Sequence, residues 1–228
     1  MEPTVLDNIP FEPTPEAIQV VIDTRLGKKS TEPFQALVKE AQKIARPKAM
    51  YKVAYVSEKG ENYVKIGRQT FTSHLLRQNL EDVHRVFLYV ATCGQELEDW
   101  MMSKPDMLEQ YYASTVNELA LDAARERLID HIESRHELSK MASMAPGSLE
   151  DWPIQEQRPL FAILGDTEKA IGVRLFDSLL MHPSKTVSGI RYPSESTFAS
   201  CQLCSRENCP NRKAAYDAEE HAKRFSSV

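Results

Sequence analysis

The residues best suited to chemistry in this 228-residue chain sit near its C-terminus, where Cys201-x2-Cys204-x4-Cys209 brings three soft sulfur ligands onto one short stretch. Thiolates select zinc or iron–sulfur iron, and a closed site of either kind needs four ligands. The fourth position is left for Cys93, His221, a partner or a substrate. Two other readings stay open: redox-active thiols, or cysteines that merely pack. Arg206, Arg212 and Lys213 surround the segment, and cations there favour thiolate.

Further candidates lie upstream. Thr92-Cys-Gly-Gln-Glu96 has the spacing of a strand running into a capped helix, with Thr92 and Gln95 as a capping box. A helix N-terminus at that point would lower the Cys93 pKa. Glu118, Asp122, Glu126 and Asp130 recur at i+4 and share one helix face, which is either solvated or turned toward a cationic ligand. Asp82-Val-His84 begins like a cobalt-ligating motif, but the glycine such a motif needs is missing. No phosphate loop, dinucleotide fingerprint, nucleophile elbow or His-Glu-x-x-His helix is present.

Two turns can hold a small polar ligand through backbone groups. One is the Pro-Gly turn of Ala145-Pro-Gly-Ser-Leu-Glu-Asp-Trp-Pro153, and the other is Pro183-Ser-Lys185, which leads into Thr-Val-Ser-Gly189.

The elements that must position these residues follow from periodicity. Helices are expected over about 15–25, 32–45, 71–79, 106–136, 152–164 and 212–224. The 106–136 helix is the longest and carries a broad apolar stripe. Tyr51–Val56 and Tyr63–Ile66 read as a hairpin, and Val86–Ala91 as a strand covered on both faces. Further strands are expected over about 172–181 and 186–192, with a polar hinge at 139–146. Residues 1–12 read as an arm, 13–195 as the main domain, and 196–228 as a Cys-rich loop with a final helix. Hairpins and long helices without regular βαβ alternation give an α+β fold.

A net charge of −5 argues against a nucleic-acid binder. No apolar run is long enough to cross a membrane, and no secretory signal opens the sequence, so a cytoplasmic protein without a membrane partner is expected.

In this order, Ala45-Arg-Pro-Lys-Ala-Met-Tyr51, Ala91-Thr-Cys-Gly-Gln-Glu-Leu97, Ala145-Pro-Gly147, Ile171-Gly-Val-Arg-Leu175 and Pro183–Gly189 resemble the S-adenosylmethionine-binding reactivation domain of cobalamin-dependent methionine synthase, in its short stand-alone form. The resemblance implies a curved α+β domain on a twisted antiparallel sheet. It also implies a role in which S-adenosylmethionine is presented to the reduced cobalt of a corrinoid, cobalamin being held by a partner: a corrinoid protein or corrinoid methyltransferase. Ala145 and Gly147 fall where the family holds the ligand by backbone groups, and Glu118 or Asp122 where an acidic helix residue does. The family's arginine and tyrosine are Ser143 and Ser148 here, while Arg191 follows the Val-Ser-Gly turn as a replacement from the opposite side. The chain is too short for the other modules of a methionine synthase, so it is expected to be at most part of a methyl-transfer system. The alternative is a metal- or iron–sulfur-binding redox module that kept the scaffold and lost the methyl-donor site.

Overall fold

A computed structural model describes residues 2–27, 31–194, 200–206, 209, 212 and 214–225. Lys213 lies outside the described residues. The centre is a seven-stranded antiparallel sheet. Its strands are β1 (Thr4–Leu6), β2 (Lys48–Lys59), β3 (Tyr63–Ile66), β4 (Gln69–Thr72), β5 (Arg85–Thr92), β6 (Met141–Met144) and, after a two-stranded hairpin β7 (Arg174–Leu175) and β8 (Met181–His182), β9 (Thr186–Pro193). The order is β4-β3-β2-β5-β9-β6, with β1 pairing the first part of β2. Thus the proline-bearing arm contributes a strand, and its Ile9 and Phe11 are buried in the core.

β5 shows how the sequence builds the layers. Between Arg85 and Thr92 its residues Val86–Ala91 are apolar without interruption because both faces are covered. Phe87, Tyr89 and Ala91 face the helices α1 (Pro15–Val21), α2 (Thr31–Ile44), α4 (Gln95–Met102) and α5 (Met107–His136). Val86, Leu88 and Val90 face the other cluster, which includes residues of α3 (His74–Asn79), α6 (Gln157–Leu164) and α7 (Thr167–Ile171). Alternation along the strand sends successive side chains to opposite layers. The 30-residue α5 is capped at its start by Asp106, whose carboxylate accepts the Leu108 and Glu109 N–H groups. It ends in left-handed Glu137.

Several expected elements differ. The hinge at 139–146 contains a strand, because Ala142 and Met144 enter one core layer while Met141 packs on the other and Ser143 leaves that same face; small and polar side chains hid the alternation. The run 172–181 is the short β7–β8 hairpin, broken at Asp177-Ser178, with Leu179 at φ +68° and Leu180 exposed. The helix expected from Trp152 opens with a 3-10 turn, Ile154–Glu156, before α6. The last helix, α8 (Ala218–Phe225), begins later than expected because Arg212 is engaged elsewhere and Asp217 caps it, accepting the Glu220 N–H at 2.9 Å.

Candidate functional site

β6 pairs only with residues 190–193 of β9, and after Met144 the chain bends away at Ala145-Pro146. The cleft opens where the two strands part. It has a volume of about 710 Å³, within the range of about 300–1,000 Å³ typical of small-molecule sites. α5 forms one wall through Glu118, Asp122 and Arg125; the Ala145–Ser148 turn and the start of β9 form the others.

Both ligand-holding turns expected from the sequence therefore border one cavity. The second is fixed from beneath by the β5–α4 junction. The Cys93 N–H donates to the Lys185 carbonyl at 3.0 Å, Thr186 Oγ1 donates to Thr92 Oγ1 at 2.9 Å, and Ser184 Oγ donates to Glu98 Oε2 at 2.8 Å. That junction rests on Arg46 at the end of α2. Gly94 has φ +95°, and a Cβ there would lie 2.4 Å from the Arg46 carbonyl oxygen. The segments 45–51, 91–97 and 183–189 are stacked on one another, and together they hold the cleft's turn in place.

The first turn spends its N–H groups internally. Ser148 N–H donates to the Ala145 carbonyl at 3.2 Å and Gly147 N–H to the Trp152 carbonyl at 2.7 Å. Ala145 and Ser148 line the cleft, whereas Gly147 sits behind the wall. The turn thus offers a shaped surface, not the donor groups that its sequence suggested.

The charges are arranged unevenly. Glu118 accepts from Lys185 Nζ at 2.9 Å and pairs with Arg25. Burial pushes its pKa up, but the Lys185 and Arg25 contacts outweigh that and hold it below the ordinary carboxylate value. Asp122 pairs with Arg125 at 2.9 Å. Arg191 stands directly opposite Ser143 across the ladder, so both side chains leave the same sheet face. Arg191 Nε is buried and makes no hydrogen bond among the described residues. Burial draws its pKa below the usual guanidinium value, with Tyr89 and Glu133 opposing. Tyr89 Oη lies 3.2 Å from Ser143 Oγ, completing a polar row. Sequence reasoning missed Tyr89 and the buried Gln157, whose Nε2 lies 3.4 Å from Ser188 Oγ. Neither belongs to a motif; strand register brings Tyr89 here, and the start of α6 brings Gln157.

Cys93 stands apart from the cysteines of the tail. Cys93 belongs to the core on the α5 face, while Cys204 packs against the core on the opposite face and Cys201 lines the cleft. Cys93 is therefore not a partner for Cys201 or Cys204. Its thiol is pushed up to about 12, first by burial and then by Glu98, where the sequence suggested lowering. The expected capping box does not form: Gly94 is the cap residue of α4, and Thr92 Oγ1 accepts the Gly94 N–H at 3.2 Å. His221 stacks on Phe225 with ring centroids 4.7 Å apart. Among the described residues no group of three or more His, Cys, Asp or Glu is placed to hold a metal ion. His84 precedes β5, exposed, and its carbonyl accepts the Val56 N–H at 2.9 Å.

No family model matches this chain, and no curated protein matches it. Among solved structures it is similar to the MetH reactivation domain bound to AdoHcy, with a TM-score of 0.57 at 16% identity, covering 88% of this chain and 81% of that one. The fold is that of the reactivation domain: a mixed helix and antiparallel-sheet architecture with long helices. No helix among the described residues is long and apolar enough to cross a membrane.

Proposed function

We propose that this chain binds S-adenosylmethionine in the β6–β9 cleft and presents its methyl group to the reduced cobalt of a separate corrinoid protein, as an accessory to corrinoid-dependent methyl transfer. The observation that carries the reading is the placement of Arg191. A cationic side chain with a buried, unsatisfied Nε faces the cleft from the position opposite Ser143. A ligand carboxylate there would satisfy it through a charge-assisted hydrogen bond.

The cleft suits a zwitterionic sulfonium ligand in other respects. Asp122 and Glu118 on α5 place two ion-paired carboxylates on the wall facing β9, where a ligand ammonium could share them, and the size accommodates a nucleoside with an amino-acid side arm. When bound, the ligand supplies an electrophilic methyl group on sulfur. The chain contributes alignment and exclusion of water, with no side chain placed to react. Likeness in fold to a domain solved with AdoHcy supports the same reading.

The test is a calorimetric titration with S-adenosylmethionine on wild type and Arg191→Ala. Losing a charge-assisted bond is worth about 1.5–3 kcal/mol, or tenfold or more in affinity. 5′-Methylthioadenosine, which lacks the carboxylate, should bind both proteins equally. Failure of the wild type to bind S-adenosylmethionine overturns the proposal. So does failure of the loaded protein to associate with any corrinoid protein.

A further inference from the structure

A second kind of chemistry is built into the rim of the same cleft. Cys201 belongs to the 3-10 turn Ser200–Leu203, and the Cys204 N–H donates to the Cys201 carbonyl at 3.3 Å. In a 3-10 turn the side chains at i and i+3 eclipse one another. The ends of such a turn have Cα atoms less than about 7 Å apart, overlapping the span of about 4.4–6.8 Å that a disulfide bridges. The backbone spacing of the two cysteines is therefore one that a disulfide can span.

The turn is firmly held. Leu203, 3% exposed, packs into the core between the two cysteines, and Cys204 lies at that core's margin. Arg212 binds both ends: Nη1 donates to the Cys201 carbonyl at 2.9 Å and Nη2 to the Cys204 carbonyl at 2.9 Å. The same guanidinium also donates to the carbonyls of Ala214 at 3.0 Å and Arg206 at 2.5 Å. Such organisation fixes the backbone that carries the two cysteines. Both cysteines are half-buried, within reach of a small reagent at the surface. Cys93 supplies the contrast, being wholly buried in the opposite layer.

We propose that Cys201 and Cys204 form a reversible dithiol–disulfide pair in the cleft wall, exchanging with a low-molecular-weight disulfide such as glutathione disulfide. One protein thiolate attacks a sulfur of the small disulfide, whose S–S bond breaks and releases one thiol. The second protein thiolate then displaces the other small thiol from the mixed disulfide. In sum, two protein thiols are oxidised to one S–S bond and the small disulfide is reduced to two thiols. Thiol–disulfide exchange of this type needs no metal and no further oxidant. Oxidation draws the Cys201 side chain toward Cys204 and so changes the cleft lining. This inference does not depend on the identity of the cleft's ligand.

Full-length protein equilibrated with glutathione and glutathione disulfide, trapped by alkylation and mapped by mass spectrometry, tests it. The peptide carrying both Cys201 and Cys204 should become lighter by two hydrogens and escape alkylation as the disulfide fraction rises, and dithiothreitol should reverse this. Cys209 should remain alkylatable throughout, and Cys93 should react only after denaturation. Cys201→Ser and Cys204→Ser should each accumulate a glutathione adduct on the remaining cysteine. A bridge to Cys209, stable glutathione adducts in the wild type, or no oxidation at any ratio would overturn the proposal. Because the mapping is done on the wild type, it stands even if a variant misfolds.

Discussion

Arg191 and Ser143 face each other across the β6–β9 ladder, on the sheet face that looks toward α5. Directly opposed residues in an antiparallel pair project side by side, about 4.5–5.5 Å apart at Cβ. A guanidinium on either strand can therefore reach the same volume. The resemblance stated above places an arginine at 143; this chain carries its arginine on the neighbouring strand.

Moving the charge back should therefore restore function. Arg191→Ala is expected to weaken S-adenosylmethionine binding tenfold or more. Adding Ser143→Arg to that variant should recover most of the loss, as read by calorimetry. If the double variant binds no better than Arg191→Ala, the two positions do not serve one ligand group.

Gly94→Ala should destabilise the protein. The added Cβ would meet the Arg46 backbone carbonyl at 2.4 Å, and the backbone there has φ +95°. Overpacking of this kind costs about 1–3 kcal/mol. Urea denaturation should show a lower midpoint at unchanged slope, and ligand affinity should fall because the Pro183–Thr186 turn rests on this junction.

Glu118 links stability to acidity. Its folded pKa is depressed by Lys185 and Arg25, so the unfolded chain binds the proton more tightly. Its contribution is complete above about pH 4.5, its unfolded value, and is lost as pH falls through the lower folded value. Thermal melts of Glu118→Gln should start from a lower Tm at neutral pH and show a shallower decline in acid than the wild type.

A second acid effect belongs to His131 and His136. Burial lowers both pKa values, aided by Arg127 and Arg135 at His131 and by Arg85 and Arg135 at His136. Both rings pack on Tyr51, and Tyr51 Oη lies 3.3 Å from His136 Nε2. Since the unfolded state protonates first, stability should begin to fall below about pH 6.5 and continue falling down to the depressed folded values. His131→Gln should flatten the Tm profile between pH 7.5 and 5.5.

The long α5, the Tyr51–Ile66 hairpin and the doubly covered β5 were legible because periodicity and burial coincide there. β6 was not: Met141-Ala-Ser-Met144 carries weak β propensity, and pairing with β9 makes it a strand. The same strand decides the site. Ala145, Ser148, Arg191, Glu118 and Asp122 were all nameable from the sequence, and the structure gathers them around one cleft, with Gly147 behind its wall. That Gly147 and Ser148 keep their N–H groups for Trp152 and Ala145 was hidden, because hydrogen-bond partners depend on where the following loop returns. Cys93 misled for a related reason. Its helix-entry motif suggested an activated thiol, while desolvation, invisible in the linear order, dominates.

The early end of β6 leaves four residues of β9, Thr186–Gly189, without a strand neighbour on their outer side among the described residues. A bare strand border is a template on which a foreign chain can pair and seed fibres. Here the gap is short, and Thr186, Ser188 and Gly189 are buried. Burial thus denies this stretch of β9 to another polypeptide, so an open cleft at the sheet border need not invite self-association.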